Sequence, residues 1–233
     1  MVNNIEALII SAGEPQLERC LKAARNQTAP FSNIVHVDNV VPESSAFNRG
    51  MSLGTSEWVM KIDGDMILVD NAVEKILGSM IDESNVFMFS YVLEDTFLRS
   101  LIYGCGVFRR KLFTKVPYPN MLTDDAYAAK KIQKMGYERR RPLGDRFPVA
   151  THFDDPDDFQ VFRRFYSRGV KGGRDYLWVM VHKLHAKTGD PRYQLAMDAI
   201  DFGWEKKHYP SSHNIIFDRK MFEEFNESRR RNS

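Results

Sequence analysis

Short apolar runs and helically spaced apolar positions alternate through the first part of the chain. The runs Ile5–Ile10, Ile34–Val37 and Trp58–Ile62 predict three buried strands. The segments between them predict two helices, the second with an N-cap at Ser44 or Ser45. Strands that alternate with helices are typical of a parallel sheet with helices on its faces. The pattern therefore predicts an α/β fold.

The rest of the chain changes from mixed to helical character. Further elements are predicted over residues 70–80 (helix), 86–92 (strand), 124–135 (helix) and 149–153 (strand), whereas 101–108 and 139–147 receive none. Beyond Pro156 the apolar spacing is helical throughout. We therefore expect a domain of residues 1–155, with the sheet, and a helical C-terminal extension of residues 156–233.

Polar side chains follow each of the first three predicted strands. They are Ser11, Asp38, and Asp63 with Asp65. Ligands of parallel sheets bind beyond the carboxyl ends of the strands. We expect these side chains to gather along one edge of the sheet.

Asp63-Gly64-Asp65 is the strongest candidate for metal chemistry. Two carboxylates separated by a small residue suit Mg²⁺ or Mn²⁺, and glycine allows a phosphate to approach the backbone. The alternative is an ordinary Asp-Gly turn. His152 is a candidate third ligand, because a neutral imidazole binds Mn²⁺, although a lone histidine more often has a structural role.

Asp124 and Asp125 begin a predicted helix and allow two interpretations. Acidic side chains stabilise a helix N-terminus, which is the structural interpretation. Alternatively, one of the two acts as a general base, since adjacent carboxylates raise the proton affinity of one another.

Charge and composition narrow the range of functions. The net charge of +2 combines −7 over residues 1–100 with +9 over the remainder, which indicates either ligands of different charge or merely solvated faces. The two cysteines, Cys20 and Cys105, are too few and too far apart for a disulfide framework. No apolar run is long enough to cross a bilayer, and the first residues lack the basic region of a signal peptide. A cytoplasmic protein is expected.

Several common catalytic motifs are absent from the sequence. It has no phosphate-binding loop ending in Gly-Lys-Ser/Thr, no nucleophile elbow and no Cys-x-x-Cys pair. Gly104-Cys105-Gly106 fails as a dinucleotide loop, because Arg109 stands where the third glycine belongs. The basic run Arg139-Arg140-Arg141 lacks an accompanying aromatic RNA-binding motif, so a nucleic acid is not an expected partner.

The order of these features resembles that of family 2 glycosyltransferases, which have the GT-A fold. Ser11-Ala12-Gly13 resembles the family's first nucleotide-contacting loop, and Asp38 the strand-end aspartate that holds the uracil or ribose of the donor. The segment around Asn48 and Arg49 is similar to the family's Arg-Asn-x-Gly helix, with Phe47 in place of the arginine. Asp63-Gly64-Asp65 is similar to its Asp-x-Asp motif.

The later part of the resemblance concerns the reacting groups. Leu122–Asp125, followed by Gly136-Tyr137, matches the spacing of the family's Glu-Asp motif, with Asp124 in place of the glutamate. By that spacing Asp125 corresponds to the catalytic aspartate, with Asp124 as the alternative base. His152 resembles the late histidine that completes the metal site in many members.

The resemblance implies an α/β, GT-A (Rossmann-like) fold with a mixed, mainly parallel sheet flanked by helices. It implies an inverting, metal-dependent transferase that uses a nucleotide-diphosphate sugar, with a UDP-sugar favoured, and a carbohydrate or lipid-linked acceptor. A position at the inner surface of a membrane is compatible with this. The implied metal is Mn²⁺ or Mg²⁺, held by Asp65, Asp63 and His152. The implied donor-binding residues are Ser11, Ala12, Gly13, Asp38, Asn48, Arg49, Asp63 and Gly64.

Two other functions stay open. A sugar-nucleotide nucleotidyltransferase would have a glycine-rich, basic loop after the first strand, but Ser11–Gln16 has one glycine and no basic residue. A non-catalytic nucleotide-sugar-binding module is the other alternative.

The C-terminal extension is rich in aromatic and basic residues. We expect aromatic residues such as Phe159, Phe162 and Tyr176 to pack it onto the catalytic domain. The alternative is an acceptor or phosphate wall that includes Arg163 and other basic residues, with Gly172-Gly173 as a hinge.

Overall fold

A mixed sheet forms the centre of the first 153 residues. The computed structural model describes residues 4–81, 84–120, 124–143, 147–153, 155–170, 174–206 and 215–232. The strands in these ranges are β1 Glu6–Ser11, β2 Ile34–Asp38, β3 Trp58–Asp63, β4 Met66–Leu68, β5 Val86–Asp95, β6 Ser100–Arg109, β7 Glu138–Arg140 and β8 Ala150–His152. The helices are α1 Leu17–Arg25, α2 Glu43–Leu53, α3 Ala72–Ser79, α4 Arg110–Lys115, α5 Asp124–Gln133, α6 Asp158–Val170, α7 Arg174–Thr188, α8 Pro191–Glu205 and α9 Ile215–Asn232.

The strand order of the sheet is β2-β1-β3-β6-β5-β8-β4, with β7 also paired to β5. Strand β1 runs parallel to β2 and β3, whereas β6 is antiparallel to β3 and β5. The long strand β5 pairs in parallel with β7 near its start and with β8 near its end. The predicted α/β fold with a mixed sheet is confirmed.

Two local details of the sequence prediction are wrong. The segments over 101–108 and 139–147, for which no element was predicted, contain strands β6 and β7. Neither strand has the alternating apolar pattern that predicts a strand. The glycines of β6 interrupt its pattern, and at Gly106 a Cβ would come within 2.5 Å of the Phe108 ring. Neither Ser44 nor Ser45 caps α2, because that helix already begins at Glu43 and its N-cap position is Pro42.

Helices cover both faces of the sheet. Alternate residues of β1 enter opposite cores, since successive strand side chains point to opposite faces. Ala7 and Ile9 pack with α1 and α3, whereas Leu8 and Ile10 pack with α2, α4 and α5. A strand that is buried on both faces has a nearly continuous apolar sequence, which is why its prediction succeeded.

The described residues after Asp154 form a second compact unit. Helices α6 and α8 approach at backbone distance: a Cβ on Gly169 would lie 2.2 Å from the Ile200 carbonyl oxygen, and one on Gly203 would lie 2.3 Å from that of Tyr166. Phe162 packs its ring against Phe222 and Phe225 of α9.

Not every aromatic residue of this unit packs in its core. The side chain of Tyr176 is 76% exposed, so the packing expectation is wrong for that residue. The proposed hinge Gly172-Gly173 lies outside the described residues.

The two cysteines are both buried and free. Burial raises the pKa of each thiol to about 12. Among the described helices, none combines the length and the apolar character required to span a membrane.

Candidate active site

The carboxyl ends of β1 and β2 meet in a hydrogen-bonded cluster. Ser11 lies opposite Asp38 in the register of the two strands, and its Oγ donates a 2.5 Å hydrogen bond to Asp38 Oδ1. The Asn39 amide donates to the other carboxylate oxygen at 2.7 Å, and His36 Nε2 lies 2.8 Å from Ser11 Oγ. The bond from Ser11 and that from Asn39 lower the pKa of Asp38. This edge therefore presents an ionised carboxylate held in a fixed orientation.

The loops after β1 and β3 touch each other. Gly13 has φ +92°, a left-handed conformation that favours glycine, and the Ala12 N–H donates to Glu14 Oε2 at 2.8 Å. A Cβ added to Gly64 would lie 2.7 Å from that Glu14 oxygen and 3.1 Å from Ser11 Cβ. The structure thus brings Ser11 and Glu14 of the first loop beside Gly64, and a side chain at position 64 would require the Glu14 carboxylate to move.

Asp63 forms an ion pair with Lys61, a residue of the same strand. Lys61 Nζ lies 2.6 Å from Asp63 Oδ1 and 2.8 Å from Glu43 Oε1. Burial by itself would lower the pKa of Lys61, but the two carboxylates outweigh burial and raise it well above its usual value. Lys61 is therefore a stable cation, and one oxygen of Asp63 is committed to it.

Asp65 contacts a different partner, His152, which β8 places opposite Met66, the first residue of β4. His152 Nε2 lies 3.1 Å from Asp65 Oδ2, and His152 Nδ1 lies 3.1 Å from Asp95 Oδ2. Asp95 is fully buried, and its Oδ1 accepts a 2.7 Å hydrogen bond from the Leu98 N–H. Burial lowers the pKa of His152, but hydrogen bonds and charges from both carboxylates raise it to about 10. The two carboxylates therefore hold the imidazole from both sides, and a metal ion at Asp65 would have to take the place of the Nε2 proton for His152 to bind it.

The remaining oxygen of Asp65 suits a cation. Asp65 Oδ1 is buried and has no hydrogen-bond partner among the described residues. An ionised oxygen without a donor is costly unless a positive charge approaches it. Across the same described ranges, no three His, Cys, Asp or Glu side chains form a preformed metal cage. The residues present therefore fit an ion that takes one or two protein ligands and completes its coordination with substrate phosphates and water, as Mg²⁺ does.

Asn48 and Arg49, the two residues of α2 expected to bind the nucleotide-sugar donor, occupy different environments. The Asn48 amide donates to the Tyr118 carbonyl oxygen at 2.8 Å, and its oxygen accepts from the Tyr118 N–H at 2.9 Å. Arg49 is exposed. Phe47, where the resembled family has arginine, is fully buried and stacks on Tyr118 with 4.1 Å between ring centroids. Asn48 and Phe47 therefore both hold the segment that leads to α5.

Asp124 and Asp125 differ in burial. Asp124 is buried, and its Oδ1 accepts a 2.6 Å hydrogen bond from the Asp125 N–H in the first turn of α5. The carboxylate of Asp125 is exposed. Burial raises the pKa of the neighbouring Tyr118, and the charges of Lys61, Asp125 and Asp124 also act on it. Tyr118 thus lies within electrostatic range of both the Lys61 cluster and the start of α5.

Several residues of the site were not predicted from the sequence, among them Lys61, Glu14 and Asp95. Lys61 had a detectable signal, because a lysine within a buried strand requires a partner. Glu14 and Asp95 had none. Asp95 reaches His152 only through the pairing of β5 with β8, between residues far apart in sequence.

Comparisons with known proteins identify the fold. No protein-family model matches the sequence, and a search of curated proteins finds no match. Among solved structures, a mannosyltransferase from Pyrobaculum calidifontis, in complex with GDP-mannose and Mn²⁺, aligns with 84% of this chain and 73% of its own at 16% identity, with a TM-score of 0.57. Glucosyl-3-phosphoglycerate synthase from Mycobacterium tuberculosis, in complex with Mn²⁺, UDP and phosphoglyceric acid, aligns with 70% of this chain and 76% of its own at 12% identity, with a TM-score of 0.51.

At these identities the likeness concerns the fold. One part of the chain forms the mixed sheet. The strand-end cluster around Ser11 and the Asp65–His152 contact both belong to that part. The chain has the GT-A fold of nucleotide-sugar-dependent glycosyltransferases.

Proposed function

We propose that this protein is an inverting glycosyltransferase that moves a sugar from a nucleotide-diphosphate donor to an acceptor hydroxyl with the help of Mn²⁺ or Mg²⁺. The observation that carries the proposal is the buried Oδ1 of Asp65, which has no hydrogen-bond partner in the described part of the chain and lies beside His152 just after the carboxyl end of β3. The two solved glycosyltransferases were both captured with Mn²⁺ and a nucleotide, which supports the same chemistry here.

Asp65 and His152 would hold the ion, and Asp63 would reach it through water or contact the ribose. A divalent cation at this position supplies positive charge to the diphosphate leaving group. Asp38, fixed by Ser11 and Asn39, would accept hydrogen bonds from the base or the ribose. Of the nucleotides, UDP is the first to test.

Asp125 would remove the proton from the acceptor hydroxyl. Its exposed carboxylate is accessible to an acceptor, whereas Asp124 is buried and bonded to the first turn of α5. The acceptor oxygen would then attack the anomeric carbon on the face opposite the diphosphate, which inverts the configuration.

Calorimetric titration with UDP and GDP, with and without Mn²⁺, tests the metal assignment. Replacing Asp65 with asparagine removes the charge that balances the ion, and we expect at least a tenfold loss of Mn²⁺-dependent nucleotide affinity, roughly the value of one charge-assisted contact. Asp70→Asn, a substitution at an exposed site close in sequence, should bind like the parent protein. Unchanged binding by Asp65→Asn would refute the assignment. Release of pyrophosphate from a nucleoside triphosphate and a sugar phosphate would indicate a nucleotidyltransferase instead.

Asp95 should control metal affinity without touching the ion. Its carboxylate accepts from His152 Nδ1, which leaves Nε2 to face Asp65. Loss of such an outer partner of a metal-binding histidine costs about 10–100-fold in metal affinity. In Asp95→Asn the amide can satisfy the Leu98 N–H or the His152 N–H through its single oxygen, but not both. We therefore expect weaker Mn²⁺ binding, measured as free Mn²⁺ by electron paramagnetic resonance.

The exposed neighbour Glu94 provides the control. Glu94→Gln should retain the Mn²⁺ affinity of the parent protein. An Asp95→Asn variant that binds Mn²⁺ normally would show that Asp95 does not orient His152.

A further inference from the structure

The three arginines of the basic run Arg139-Arg140-Arg141 are all exposed; the first two belong to β7 and Arg141 directly follows it. Arg140 forms an ordinary surface ion pair, with its guanidinium 2.6 Å from a Glu138 carboxylate oxygen. Its two neighbours instead contact uncharged groups. Arg139 Nε donates a 2.6 Å hydrogen bond to Ser90 Oγ, and the Arg141 guanidinium carbon lies 4.1 Å from the centre of the Tyr103 ring.

Neither Arg139 nor Arg141 has a carboxylate within salt-bridge distance in the described part of the chain. The two guanidinium groups also act on each other: burial lowers the pKa of Arg139, and the charge of Arg141 lowers it further. Both residues are exposed, so solvent screens part of their repulsion, and an anion between them would gain charge-assisted hydrogen bonds from both guanidinium groups.

The two contact residues, Ser90 and Tyr103, lie on one face of the sheet. Ser90 and Val92 are two positions apart on β5, and Tyr103 lies directly opposite Val92 on β6. Met88, two positions before Ser90, packs in the core to which α5 also contributes. Arg139 and Arg141 therefore extend over the face of the sheet that α5 covers.

This arrangement places the basic pair near the candidate base. The charge of Asp125, at the start of α5, raises the pKa of Arg139. The hydroxyl of Tyr118 acts on that pKa in the same direction. The carboxylate that would deprotonate an acceptor and the guanidinium groups that would hold an anion are thus within electrostatic range of each other, in the same unit of the structure.

We propose that Arg139 and Arg141 form the subsite that binds a phosphate group of the acceptor. The inference deepens the proposed function and rests on it. The contact with Ser90 uses one donor of Arg139 and leaves its terminal N–H groups available, and stacking on Tyr103 leaves the in-plane donors of Arg141 available. Two planar guanidinium groups match the oxygens of a phosphate monoester. A soluble phosphorylated sugar or hydroxy acid and a lipid phosphate share this chemistry.

Titration with inorganic phosphate, followed through the side-chain Nε–H signals of arginine by nuclear magnetic resonance, tests the site. We expect saturable shifts for Arg139 and Arg141. We also expect at least a tenfold loss of phosphate affinity in Arg139→Gln and in Arg141→Ala, because each removes charge-assisted hydrogen bonds. Arg140→Ala is the matched control and should bind like the parent protein. Absence of phosphate binding, or equal binding by all variants, overturns the proposal.

A second titration in the presence of saturating UDP and Mg²⁺ separates the acceptor from the donor. Phosphate binding that persists supports an acceptor subsite, whereas displacement by the nucleotide would show that the pair holds the donor diphosphate and would overturn the proposal. If no nucleotide binds but phosphate does, the proposed transferase function fails and the acceptor assignment fails with it, leaving a phosphate site of another purpose.

The source of the phosphate is found by competition. Glycerol 3-phosphate should displace inorganic phosphate if the acceptor is soluble. Vesicles containing phosphatidic acid, compared with vesicles of phosphatidylcholine alone, should do so if the acceptor is a lipid. Displacement by either supports the subsite, and failure of both contradicts a subsite for organic phosphates.

Discussion

Asp125→Asn is expected to reduce the rate of sugar transfer by about two to four orders of magnitude, the usual contribution of a positioned general base. The amide cannot accept the proton of the acceptor hydroxyl. Donor binding should stay unchanged, because the Asp65–His152 contact and the Ser11–Asp38 hydrogen bond involve other elements of the fold. Steady-state kinetics should therefore show a reduced kcat with little change in the KM for the donor.

Asp124→Asn is the informative comparison. Asp124 is buried, and its oxygen accepts from the Asp125 N–H, a bond that an asparagine oxygen also accepts. We expect this variant to retain most of the transfer activity. Loss of transfer in Asp124→Asn combined with normal transfer in Asp125→Asn would assign the base to the buried residue.

Removing one partner of the buried Glu6–Arg110 ion pair is expected to destabilise the protein by about 3–5 kcal/mol. Glu6 is fully buried, and Arg110 is 8% exposed. Arg110 also donates to the Met51 carbonyl oxygen at 2.6 Å and to that of Ser56 at 2.7 Å. Arg110→Ala would leave the Glu6 carboxylate buried without its cation.

The packing around this pair leaves little room for relaxation. A Cβ on Gly54 would lie 1.7 Å from Glu6 Oε1, so the loop between α2 and β3 closes directly over the carboxylate. Hydrogen exchange of the β1 and β3 amides measures the unfolding free energy of this part of the fold. In a double-mutant cycle, the combined variant Glu6→Leu with Arg110→Met should lose less stability than the two single variants added together.

An exposed ion pair of the same sheet supplies the reference. Arg140 and Glu138 are both close to half exposed, and such pairs contribute about 0–1 kcal/mol. Arg140→Ala should therefore scarcely change the exchange rates. If Arg110→Ala has as small an effect as Arg140→Ala, the buried pair does not hold this part of the fold together.

The sequence predicted the elements whose patterns are local. Strands β1, β2 and β3 are short apolar runs followed by polar residues, and the register of β1 with β2 brings Ser11 to Asp38 as expected. Strands β6 and β7 were not predicted. Glycine interrupts the apolar pattern of β6 and arginine that of β7, and both strands form by pairing with β5, which is not visible in their own sequences.

The acidic first part of the chain and its basic remainder are not separated in the structure. The acidic first hundred residues contain Asp63 and Asp65, but Arg139 and Arg140 of the basic remainder belong to the same sheet through β7, and Arg141 directly follows that strand. The structure therefore places opposite charges within one unit. A charge count along the sequence does not show this, because it does not record which strands pair.

By itself, the sequence determined the α/β class, the strand-end position of the candidate residues and the short list of carboxylates. These follow from local periodicity and from the residue types that metal and proton chemistry require. Only the tertiary structure distinguished the two members of each carboxylate pair. Asp63 forms an ion pair with Lys61, whereas Asp65 has a buried oxygen without a partner among the described residues. Asp124 is buried, whereas Asp125 is exposed. The physical reason is that burial and the nearest charge decide what a carboxylate can do, and both depend on residues brought together by the fold.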